Sequence, residues 1–144
     1  MNNVRDLIRR KGNQVFSIRP NNSVFEAMKM MAENNTGALL VMETDEVIGI
    51  ISERDCVRRV DIEGKLSKDT IVHEIMTSKV LYVDASQSLD ECMAVMIDKN
   101  IRHLPVYENG KLAGLISVRD VLKEVVDYQK LMISQLEHYI SNSG

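Results

Sequence analysis

The chain repeats itself. Sliding its 144 residues along themselves places Val15 on Val80 and Asp55 on Asp120 without a gap, because 80 − 15 and 120 − 55 are both 65. Over this window "VFSIRPNNSVFEAMKMMAENNTGALLVMETDEVIGIISERDCVRRV" lies on "VLYVDASQSLDECMAVMIDKNIRHLPVYENGKLAGLISVRDVLKEV", with about a third of positions identical and most others matched in hydrophobicity. The lead-ins match as well: "VRDLI" (4–8) is similar to "VHEIM" (72–76), although the first copy carries three extra residues before its strand. A tandem duplication restricts the fold severely, since whatever one copy forms the other must form too.

Each copy predicts the order β-α-β-β-α. Short β-branched and apolar runs, Val15 to Ile18 and Val80 to Val83, read as strands followed by polar turns. A helix then opens at Ser23-x-x-Glu26 and at Ser88-x-x-Glu91, a pattern in which hydroxyl and carboxylate satisfy orphan backbone N–H groups. Apolar residues recur at intervals of three and four, as Val24, Ala27, Met28, Met31 and as Leu89, Cys92, Met93, Met96, so that face is expected to be buried. "ALLVM" and "HLPVY" read as strands, "ETDE" and "ENGK" as hairpin turns, "VIGII" and "LAGLI" as returning strands. A second helix closes each copy. Neither copy buries enough apolar surface alone, so an α+β globule of packed repeats with pseudo-two-fold symmetry is expected. The repeats are read as residues 2–60 and 72–127, with a linker at 61–71 and a C-terminal helix at 128–141.

Composition narrows the function classes. A net charge of −3 argues against a general nucleic-acid or anionic-membrane binder, whose affinity comes mainly from lysine and arginine on phosphates. "MNNVRDLIRRKG" lacks the apolar core of a secretory signal, and the longest apolar runs fall far short of a membrane span, which reads as a cytoplasmic protein without membrane insertion. Cys56 and Cys92 lack metal-ligand spacing and read as buried helical thiols. Methionines 28, 30, 31, 93 and 96 read as packing residues, and His73 and His138 as surface or packing residues.

"SERD" (52–55) and "SVRD" (117–120) stand at the same place in the two copies. Ser52 with Asp55, and Ser117 with Asp120, fit a helix cap with a first-turn carboxylate. Capping does not account for Arg54 and Arg119, because a cation in the first turn opposes the helix dipole by about a few tenths of a kcal/mol. A helix start with free N–H groups, a hydroxyl and a guanidinium suits a phosphate, and a carboxylate one turn in can accept two hydrogen bonds from a ribose diol. Those are the groups of a nucleotide. The residues offer no nucleophile paired with a base, no metal-ligand cluster and no phosphate-loop glycine motif, so neither an enzyme nor a metal site is expected.

Together with the duplication, "VHEIMTSKVLYV", "IRHLPV" before a hairpin and "GLISVRD" after it closely resemble the CBS domain, which usually occurs in pairs called Bateman modules. The resemblance covers about residues 2 to 127. It implies a regulatory sensor of an adenosine ligand, AMP foremost, with ADP, ATP, S-adenosylmethionine and NAD as alternatives. It implies that Asp55 and Asp120 take the ribose, that Ser52 and Ser117 assist, and that Arg54 and Arg119 meet phosphate. It further implies shared clefts: Thr77, Arg102 and His103 would complete the Asp55 site, and Lys11, Gly37 and Ala38 the Asp120 site. Copy two has Arg102-His103-Leu104-Pro105 where copy one has Gly37-Ala38-Leu39-Leu40, so the sites are expected to be unequal, with the Asp55 cleft the stronger. A homodimer and an unknown regulated protein partner acting in trans are also implied, and a ligand-independent dimerisation scaffold is the alternative. In the tail, Val125, Tyr128, Met132, Leu136 and Tyr139 share a helical face expected to pack on its own module or on a twin.

Overall fold

The computed structural model describes residues 3–12 and 14–143. Two three-stranded sheets carry the fold, one in each repeat. In the first, β1 (Ser17–Ile18) pairs in parallel with β2 (Ala38–Glu43), and β2 pairs antiparallel with β3 (Glu46–Ser52). In the second, β4 (Val83–Asp84), β5 (His103–Glu108) and β6 (Lys111–Ser117) repeat that arrangement. The register irregularity falls at the same place in both, between Val41 and Met42 and between Val106 and Tyr107.

The hairpin turns follow from residues that tolerate positive φ. Thr44 and Asp45 lie at φ 51° and 65°, and Asn109 and Gly110 at 53° and 76°, as the two-residue turn that matches strand twist requires. Between β1 and β2 runs α2 (Val24–Glu33), and between β4 and β5 runs α5 (Leu89–Lys99). Ser23 and Ser88 cap them, each hydroxyl accepting the N–H of the glutamate three residues on at 3.1 Å. The glutamates are also engaged from outside the helix: Asn22 donates to Glu26 at 2.6 Å and Gln87 to Glu91 at 3.3 Å. The face expected to be buried is so at Val24, Ala27 and Met31 and at Leu89, Cys92 and Met96. Met28 is instead exposed and Met93 sits at the rim of its core, because a helix on a three-stranded sheet buries a stripe narrower than four positions per two turns.

The closing helices differ between copies. In the first, α3 (Glu53–Cys56) runs into a π-helical stretch, Val57–Asp61. In the second, α6 runs unbroken from Val118 to Ser143, so the closing helix of the repeat and the tail are one element. Val121 and Val125 pack it on its own sheet and Tyr128 and Met132 are half-buried, whereas Leu136 and Tyr139 are exposed.

Contacts divide the chain into two compact units, and the division does not follow the order of the repeats. One unit holds residues 14–80 and the other the described residues of 1–13 and 81–144. The lead-in helix α1 (Val4–Lys11) therefore belongs with the second repeat, where Val4, Leu7 and Ile8 join Leu104, Val106 and Ile116 in the core. The lead-in helix α4 (Val72–Ile75) belongs with the first repeat, where Val72, Ile75 and Met76 join Leu39, Val41 and Ile51. Each sheet is thus covered by the segment that precedes the other.

A glycine in each returning strand seats the lead-in. A β-carbon on Gly114 would lie 2.6 Å from Ile8 Cδ1, and one on Gly49 would lie 2.5 Å from Met76 Sδ. Gly49 and Gly114 correspond in the 65-residue alignment, and Ile8 and Met76 correspond in the alignment of the lead-ins. One packing device is used twice.

Candidate functional site

The returning strand of each repeat ends on a serine that starts a helix. Ser52 has extended backbone (φ −122°, ψ 165°), and its hydroxyl accepts the Asp55 N–H at 3.2 Å while donating to Asp55 Oδ2 at 3.0 Å. Its own N–H donates to Asp55 Oδ2, also at 3.0 Å. Ser117 and Asp120 repeat the reciprocal cap, with the Asp120 N–H on Ser117 Oγ at 3.1 Å and the Ser117 N–H on Asp120 Oδ2 at 2.8 Å. The helix caps that Ser-x-Arg-Asp predicts are thus present in both copies. The arginines lie outside it: among the described residues neither Arg54 nor Arg119 is ion-paired, Arg54 half-buried and Arg119 exposed. Two guanidiniums at two helix starts remain available to an anion.

The floor beside each cap comes from the central strand of the same sheet. Ala38 pairs with Ser52 and His103 with Ser117. The carbonyl of Gly37 accepts the Glu53 N–H at 3.0 Å, and the carbonyl of Arg102 accepts the Val118 N–H at 2.9 Å. Ala38 is fully buried, whereas Arg102 is exposed and His103 is half-buried.

The lead-ins bring in the remaining residues. Thr77 exchanges two backbone hydrogen bonds with Ile50 at 2.9 and 3.0 Å, which sets it along the strand that ends at Ser52. Lys11, at the last turn of α1, donates to Asp120 Oδ2 at 2.6 Å and to the Leu115 carbonyl at 2.7 Å. The Leu115 carbonyl was not marked by the sequence, since no side-chain letter reports a backbone acceptor. The residues thus fall into two groups: Gly37, Ala38, Ser52, Arg54, Asp55 and Thr77 in the unit of residues 14–80, and Lys11, Arg102, His103, Ser117, Arg119 and Asp120 in the other.

Burial of the Asp120 carboxyl favours its neutral form, but the Lys11 hydrogen bond and charge and the bonds from Ser117 outweigh it and hold the group below the usual carboxylate range. Cys56 and Cys92 are buried, and desolvation pushes both thiols up to about 11. Among the described residues there is no cluster of three His, Cys, Asp or Glu side chains suited to a metal, and no helix is long and apolar enough to cross a membrane. A surface cleft of about 420 Å³ lined by Arg19, Glu26 and Asp45 among others shares no residue with either cap.

The geometry recurs in known proteins. A family model described as "CBS domain" matches twice, over residues 4–62 and 72–127. The chain belongs to the CBS domain family. It is a tandem CBS pair, and its mixed α+β fold with two three-stranded sheets is that of solved CBS pairs. It is 36% identical over 123 residues to the CBS domain-containing protein CBSX3, mitochondrial, of Arabidopsis thaliana, a match covering 82% of this chain and 60% of that protein's length. It is 45% identical to a protein of Burkholderia ambifaria MC40-6 described as a candidate signal-transduction protein with CBS domains, with a TM-score of 0.85 over 88% of this chain and 95% of that one. It is 29% identical to a hexameric CBS-CP12 protein from bloom-forming cyanobacteria, with a TM-score of 0.75 over 85% of this chain and 70% of the other.

Proposed function

We propose that this CBS pair is a regulatory sensor of an adenosine nucleotide. The observation that carries the reading is the double occurrence, at one offset, of a serine-capped helix start with a first-turn aspartate and an arginine that is not ion-paired among the described residues. The ribose diol is assigned to the Asp55 and Asp120 carboxylates, the phosphates to Arg54 and Arg119, and polar help to Ser52 and Ser117. Arg102 and His103 with Thr77 are assigned to the Asp55 ligand, and Gly37 and Ala38 to the Asp120 ligand, while Lys11, implied for the same site, is bonded to the Asp120 carboxylate itself. AMP is the first choice, with ADP, ATP, S-adenosylmethionine and NAD in the same test; no catalytic role and no metal is assigned. Ligand binding would shift the population of states read by a protein partner in trans, in the cytoplasm, and this needs a ligand affinity that differs between states.

A scaffold reading has one observation in its favour. Along the second half of α6, Ile133, Leu136, Tyr139 and Ile140 are all more than half exposed and fall on one side of the helix, an apolar strip suited to a homodimer or another protein. Calorimetric titration of the stripped protein with the five adenosine ligands separates the readings. Saturable binding that Asp55→Asn/Asp120→Asn loses supports the sensor; heat from none of the five, with folded protein, supports the scaffold.

A further inference from the structure

The corresponding lysines of the lead-ins have different surroundings. Aligning "VRDLIRRK" with "VHEIMTSK" matches Lys11 to Lys79. α4 ends at Ile75, Met76 turns extended at ψ 155°, and Thr77 joins the edge of β3. Lys79 is then exposed and forms no ion pair among the described residues. α1 instead continues to Lys11 and is closed by Gly12 at φ 95°, about one turn longer than its counterpart. That turn carries the Lys11 ammonium onto Asp120.

The consequence falls on the carboxylate assigned to a ribose. A diol donates to both oxygens of a carboxylate, so its hydroxyls need free acceptor positions. At Asp55 Oδ2 the partners are the Ser52 N–H and the Ser52 hydroxyl, and a hydroxyl can rotate away at little cost. At Asp120 Oδ2 they are the Ser117 N–H and an ammonium that also holds the Leu115 carbonyl. A ligand there must displace a charged donor anchored at a second point.

We propose that Lys11 is an intramolecular competitor for the Asp120 carboxylate, so that the Asp55 site fills first and filling the Asp120 site releases the end of α1. This rests on the reading that the two aspartates receive a nucleotide diol. It adds a cause of inequality independent of Arg102 and His103, and one that acts within a single unit. It makes Lys11 a residue that sets the affinity of the Asp120 site.

The test uses the full chain, stripped of ligand, with Asp55→Asn present to isolate the Asp120 site. AMP, ADP, ATP, S-adenosylmethionine and NAD are titrated into this variant and into the same variant carrying Lys11→Met, with Lys11→Gln as a second replacement and Lys79→Met as control. Both Lys11 replacements are expected to strengthen binding about fivefold and the control to leave it unchanged, the scale of releasing a partly exposed ion pair. Unchanged or weaker binding in both Lys11 variants, while wild type binds, overturns the competitor role and leaves the nucleotide reading standing. Absence of binding by wild type and every variant overturns both. A ligand-free measurement checks the contact itself: the Asp120 carboxyl followed by NMR should titrate at higher pH in Lys11→Met than in wild type, and an unchanged midpoint removes the contact and the proposal with it.

Discussion

Ile8 rests on the bare α-carbon of Gly114, with its Cδ1 2.6 Å from where a β-carbon would be. Through this contact the segment before the first repeat is held on the sheet of the second. The corresponding contact, Met76 on Gly49, has a further neighbour, the Thr77 carbonyl oxygen at 3.1 Å from the same β-carbon position. A side-chain tip can move aside, but a strand-paired carbonyl gives far less. Gly49→Ala should therefore cost about 1–3 kcal/mol of unfolding free energy, the range of overpacked cores, and Gly114→Ala less. Urea unfolding of the two variants checks the order, and equal losses would contradict it.

The Lys11–Asp120 pair makes part of the stability depend on acid. The Asp120 carboxyl lies below its ordinary value of 3.8 in the folded chain, chiefly through Lys11 and Ser117 acting against burial. A depressed folded value contributes stability at pH above the unfolded value and loses it as pH falls through the folded one. Lys11→Met should thus be less stable than wild type near pH 6, by up to about 1 kcal/mol for a pair this exposed, and the difference should be smaller at pH 2. Chemical denaturation at the two pH values measures it.

Serine caps offer a comparison internal to the chain. Ser23 and Ser52 both cap helices, but only Ser52 belongs to the candidate site. Ser23→Ala and Ser52→Ala should each lose about 1 kcal/mol of stability. Only Ser52→Ala should weaken nucleotide binding. Thermal unfolding and titration of the two variants test the pair of outcomes, and equal ligand losses would return Ser52 to a purely structural role.

Both thiols should be inert in the folded state. Reactivity requires the thiolate, and burial raises Cys56 and Cys92 to about 11. A chromogenic disulfide reagent at pH 8 should react slowly with native protein and at once after addition of guanidinium; a fast native phase would show that a helix opens.

Truncation after Asp127 removes the second half of α6 with its exposed Leu131, Ile133, Leu136, Tyr139 and Ile140. If these exposed residues hold copies of the chain together, light scattering should report a smaller species than the full chain gives. An unchanged mass would assign dimer formation, where present, to other surfaces.

Local order was legible because it is written in local chemistry. Ser23 and Ser88 announced helix starts, Asn109-Gly110 announced a hairpin, and the offset of 65 made each reading count twice. Strand ends were less so. Runs beginning at Val15 and Val80 shrank to Ser17–Ile18 and Val83–Asp84, because only residues opposite Leu40–Val41 and Val106–Tyr107 find ladder partners. Nothing in its letters predicted that the helix after Cys56 would turn to π geometry while its counterpart in α6 stayed regular. At the site, Ser52 with Asp55 and Ser117 with Asp120 could be read from spacing, since each cap closes within four residues. Lys11 meets Asp120 across 109 positions, a relation that no spacing carries and that only the family resemblance implied.

The most direct test of the central claim is a calorimetric titration of AMP into the stripped wild-type chain and into Asp55→Asn/Asp120→Asn, a replacement that keeps a capping oxygen and removes the charge. The account predicts saturable binding by wild type with its loss in the folded double variant. Binding of equal strength to both would contradict it, because the nucleotide would then be held somewhere other than the two serine-capped helix starts.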